Sequence, residues 1–82
     1  MMTKSELEQR IIDEDIPKMY YSLKGGMPGD LYCLGLNNGK WEVYYSERAN
    51  KNELQIFDNE SEACDYFYYW LIEGLTDEGI LD

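Results

Sequence analysis

The chain has 82 residues, 17 acidic and 7 basic side chains, and a formal net charge of −10. That sign excludes a protein that grips DNA or RNA phosphates, and equally a polybasic membrane-surface protein. No apolar run reaches the roughly 18–20 residues of a membrane span, and the polar stretch Met1–Arg10 carries no signal-peptide core, so a protein made and kept in the cytoplasm is expected.

Residues 3–15 read as a short helix. Ser5 and Glu8 fit a capping box, Leu7, Ile11 and Ile12 form a thin apolar edge, and Pro17 stops the helix by Asp15. Residues 18–24 alternate, with Met19, Tyr21 and Leu23 against Tyr20, Ser22 and Lys24, as a half-buried strand does. Gly25–Asp30 is a loop, and residues 31–36 a second strand. Asn37-Asn38-Gly39-Lys40 is a hairpin turn, because Asn and Gly tolerate positive φ. In the third strand, 41–47, Trp41, Val43 and Tyr45 share one face and Glu42, Tyr44 and Ser46 the other. A polar turn over 48–53 leads to a short fourth strand, 54–58. The last helix is capped by Asp58 or Asn59 and runs to about Leu75, with Gly74 near its end. Ala63, Cys64, Phe67, Trp70, Leu71 and Leu75 fall on its apolar face; Glu62, Asp65, Tyr66, Tyr69 and Glu73 fall opposite. The order α-β-β-β-β-α with short connections predicts one α+β domain over 1–82: a four-stranded antiparallel meander with both helices packed on one face.

Little here suggests catalysis. Histidine is absent, which removes the commonest general base and metal ligand near neutral pH. Cys33 and Cys64 lack a basic neighbour in sequence and read as buried thiols rather than nucleophiles or a disulfide. The Gly25–Asp30 loop lacks the Gly-Lys-Ser/Thr of a phosphate loop. The carboxylates of Asp13-Glu14-Asp15 and of Asp58, Glu60 and Glu62 suit solubility and a helix N-terminus better than a metal; the second set lacks the central Gly of a calcium loop. No catalytic residue, metal or cofactor is therefore expected.

The charge is unevenly placed. Residues 1–51 hold 8 acidic and 7 basic side chains, whereas residues 52–82 hold 9 acidic and none basic. On the last helix, Glu62, Asp65 and Glu73 interleave with Tyr66 and Tyr69. Carboxylates serve solubility, but tyrosines at such positions either cover the sheet edge or the first helix, or anchor a partner. A basic protein partner is the natural complement, steered by opposite potential. Glu42 and Tyr44, on the outward strand face, form a second candidate patch.

The runs Trp41-Glu42-Val43-Tyr44-Tyr45-Ser46-Glu47-Arg48, Ile56-Phe57-Asp58 and Glu60-Ser61-Glu62-Ala63-Cys64-Asp65-Tyr66-Phe67 resemble the small acidic immunity proteins of bacterial polymorphic-toxin systems. The resemblance covers roughly residues 20–75. Relatives carry Gly after the Glu-Arg pair, where this chain has Ala49. It implies a non-enzymatic cytoplasmic inhibitor that binds and neutralises a cognate toxin, commonly a nuclease. Two other readings stand beside it. One is a generic interaction or regulatory module, a homodimer pairing through Tyr20, Tyr32 and Tyr44. The other is a small-molecule binder with an aromatic pocket.

Overall fold

The computed structural model describes residues 2–26 and 28–81. Helix α1 (Lys4–Asp13) is followed by a 3-10 turn (Lys18–Tyr20) and four strands: β1 (Tyr21–Ser22), β2 (Leu31–Asn37), β3 (Lys40–Glu47) and β4 (Asn50–Phe57). Helix α2 (Glu60–Asp77) closes the chain. The strands lie in the order β1-β2-β3-β4. The α+β class and the placement of the helices at the two ends follow the sequence expectation. The sheet, however, is mixed: β1 runs parallel to β2, with Tyr21 beside Tyr32.

A parallel pair needs a connection that crosses the sheet, and the segment after β1 makes that crossing. Gly25 donates its N–H to the Leu34 carbonyl at 3.0 Å. A Cβ placed on Gly35 would sit 2.7 Å from the Gly25 Cα, so two glycines are what let the loop lie on the strand. Met19, assigned to the inward face of a strand, sits in the 3-10 turn and is exposed, whereas Tyr21 and Leu23 are buried as their alternation requires.

Local rules explain the element ends. The capping box of α1 is formed by Thr3 and Glu6, not Ser5 and Glu8: Glu6 donates its backbone N–H to Thr3 Oγ1 at 3.2 Å, and Thr3 donates its own to Glu6 Oε1 at 2.9 Å. At its other end Asp15 takes φ 57° and the Ile16 N–H reaches the Ile11 carbonyl, with both isoleucines buried. Asn59 caps α2 by accepting the Glu62 N–H at 2.8 Å. The helix runs past Leu75; Gly79 at φ 77° is its stop, and Gly74 is an interior residue. Asn38 and Gly39 form the β2–β3 turn at positive φ, and Arg48 and Ala49 form an equally tight β3–β4 turn at 51° and 63°. The predicted polar turn over 48–53 is therefore mostly strand.

One face of the sheet presents Tyr32, Leu34 and Val43, which join Phe67, Leu71 and Leu75 of α2 and Leu7 and Ile11 of α1 in a single core. Cys64 is in that core. Cys33 is also buried, but its register places it with Gly35 and Tyr44 on the other face, and neither cysteine is in a disulfide.

Candidate functional site

Four of the seven residues singled out from the sequence converge. Along α2, Asp65, Tyr69 and Glu73 are spaced four apart and form one row; Tyr66, Trp70 and Gly74 form the next. Asp65, Tyr66, Tyr69, Trp70 and Glu73 line an open hollow of about 420 Å³. Tyr69 is 63% exposed, while Tyr66 is 38% exposed and leans on Phe57 at the end of β4, ring centroids 5.3 Å apart. The two tyrosines thus divide the readings left open by the sequence: Tyr66 partly covers the sheet edge, and Tyr69 is largely in solvent, its ring meeting that of Tyr68 edge to face.

Trp70, placed on the apolar face, packs against the core as expected and also forms the floor of the hollow. Its ring lies edge-on to Tyr32 at 4.7 Å and it is only partly buried. The signal was present, since Trp70 follows Tyr66 by four positions and so borders both faces. Tyr32 is held in turn: its hydroxyl donates to Glu78 at 2.8 Å, and burial first, then Glu78, holds the phenol well above its usual pKa. Gly74 makes this fit, because a Cβ there would meet the Tyr32 hydroxyl at 2.1 Å.

A second hollow, of about 410 Å³, adjoins the first through Trp70 and Glu73. Tyr45, Glu53, Asp77 and Glu78 line its far side. Glu53 arrives by a β-bulge: between Val43 and Tyr45 the partner strand advances from Gln55 to Asn52, and Glu53 takes φ 57°. Bulges re-aim side chains in this way, and periodicity over 54–58 gave no hint of it. Among the described residues no Lys or Arg lines either hollow. The ion pairs present, Arg10–Glu14, Lys40–Asp58 and Lys51–Glu42, all lie elsewhere.

Three candidates fall outside. Glu62 is exposed, but its carboxylate accepts from Asn59 Nδ2 at 3.0 Å, so it serves the helix cap. Glu42 and Tyr44 are not an outward patch: they are 8% and 1% exposed. The crossing loop is the reason, for Tyr44 donates its hydroxyl to the Gly26 carbonyl, and burial pushes its pKa up to about 12. Glu42 accepts from Lys51 at 2.7 Å and Asn37 at 3.3 Å; the Lys51 hydrogen bond is the main cause holding its carboxyl below the usual range.

The carboxylate clusters are spent locally. Glu14 accepts from Tyr68 and pairs with Arg10, Glu60 accepts the Lys4 N–H, and Asp58 pairs with Lys40. Burial raises both thiols, Cys64 to about 11, with Glu60 and Asp65 adding to it. No described helix is long and apolar enough to cross a membrane. Comparisons with protein-family models, curated proteins and solved structures return no match.

Proposed function

We propose that this chain is a non-enzymatic immunity-type inhibitor that binds a basic toxin domain, a nuclease, in the bacterial cytoplasm. The observation that carries the proposal is the pair of adjoining acidic, aromatic hollows on α2, with no cation of the chain's own lining them among the described residues. A nuclease is basic where it holds phosphates, and a carboxylate surface can occupy that groove in place of nucleic acid. Aromatic area and a polar rim are what such interfaces use for anchoring. The test is titration of the purified chain against the toxin encoded next to it, at low and high salt, with nuclease inhibition as a second readout. Expected are one-to-one binding weakened by salt and loss of nuclease activity; no binding at either salt concentration overturns the proposal.

Of the three tyrosines in the homodimer reading, Tyr32 and Tyr44 are 8% and 1% exposed and Tyr20 is half-buried. The open edge strand β4 is interrupted by the Glu53 bulge, a feature that discourages edge-to-edge pairing. A stable dimer by light scattering, without partner, would favour that reading.

A further inference from the structure

The geometry points to a pair of arginine side chains on the partner, one seated in each hollow and both bordering Glu73. This rests on the reading of α2 as a docking surface for a basic protein. Each hollow combines an aromatic wall with carboxylates from different positions: Tyr66, Tyr69 and Trp70 with Asp65 in the first, Tyr45 and Trp70 with Glu53 and Asp77 in the second. Glu73 and Trp70 are common to both.

A guanidinium fits such a wall better than an ammonium. It is planar, weakly hydrated, stacks on aromatic faces and offers a fork of donors to a carboxylate. The molecule holds one such arrangement already. On the side of α2 that meets α1, the Arg10 guanidinium lies 4.0 Å from the Tyr68 ring centroid and Arg10 Nε is 3.3 Å from Glu14 Oε2. The two hollows repeat that combination of tyrosine and carboxylate, and among the described residues no cation lines them, although Arg10 approaches Asp65 from the α1 side.

Spacing makes the inference specific. The α2 residues lining the first hollow centre near Tyr69 and those lining the second near Gly74, five to six positions on. At 1.5 Å per residue the two sites are offset by about 8–9 Å along the helix axis. The bulge brings the Glu53 carboxylate from β4 to the α2 side, where it lines the second hollow.

Two probes of equal charge test this on the full chain: hexamethylene diguanidine, whose length matches the offset along the helix, and ethylene diguanidine, which is far shorter. Binding is followed by NMR at the Trp70 indole and the Tyr69 and Tyr45 rings. The long probe is expected to bind about tenfold tighter or more, since the second contact becomes intramolecular, and to move all three signals. Glu53→Gln should remove the Tyr45 response and the length preference while keeping the Tyr69 response. Asp65→Asn with Tyr69→Ala should leave only the Tyr45 and Trp70 responses. A neutral diurea of the long probe's length should move nothing. Equal affinity for the two diguanidines, shifts at other residues, or no shifts overturn the inference. If the toxin binds while probe length has no effect, the docking reading survives and the arginine pair fails. If the probes behave as expected and the toxin does not bind, the two hollows do take guanidinium groups and the toxin reading fails.

Discussion

Glu42 on β3 and Glu73 on α2 are both acidic residues on the polar side of an amphipathic element, and they end in opposite circumstances. Glu42 is covered by the chain, holds Lys51 and Asn37, and is part of what keeps the sheet together. Glu73 lies between two open hollows with no ion-pair partner among the described residues. A carboxylate is available to a partner only where folding has brought neither a cation nor a covering segment to it. The cations reach the sheet, α1 and the Tyr68 side of α2, and the glycine loop covers the sheet; among the described residues no cation lines the two hollows.

The largest expected effect attacks the floor of the α2 surface. Gly74→Ala drives a methyl into the Tyr32 hydroxyl, so the ring must leave Glu78 and Trp70. A loss of about 2–3 kcal/mol in denaturant unfolding is expected, together with a changed Trp70 fluorescence. Lys51→Ala tests the structural carboxylate. It strips the cation from a largely buried Glu42 and should cost about 2 kcal/mol, below the range for fully buried pairs because Lys51 is 27% exposed.

The same pair sets a pH dependence. Glu42 titrates in the folded chain below its ordinary value of 4.5, so its stabilisation is present above that value and is lost as pH falls through the lower, folded pKa. Acid unfolding of Glu42→Gln should therefore be shallower than that of the parent between pH 4.5 and more acidic conditions, as measured by circular dichroism.

Asp65→Asn combined with Glu73→Gln should show the opposite profile. Stability should move by less than about 0.5 kcal/mol, because neither carboxylate has an ion-pair partner among the described residues. Partner affinity should fall about tenfold, or about 1.4 kcal/mol, mostly through slower association. Equal losses of stability in this variant and in Lys51→Ala would erase the distinction between the two regions. The smallest effect is expected from Ala49→Gly. Ala49 holds φ 63° in the β3–β4 turn, which glycine adopts without penalty, so a gain of about 0.5–1 kcal/mol in thermal unfolding should follow.

The sequence alone determined the helices, three of the four strands, a cap at Asp58 or Asn59 and the amphipathic split of α2, because those depend on neighbours within a few positions. It also located the excess charge in the last 31 residues. It placed four of the five residues around the first hollow, since a row of i, i+4 positions is a property of the helix itself. Tertiary structure decided the rest. Only a loop crossing the sheet at Gly25 and Gly35 made β1 parallel and buried Tyr44 and Glu42, and alternation along β3 carries no information about that covering segment. Only the packing of α2 on the sheet brought Trp70 over Tyr32 and set Glu53, some twenty positions away, beside Glu73. A strand pattern states which side chains share a face; what lies over that face is settled by chain that is distant in sequence and close in space.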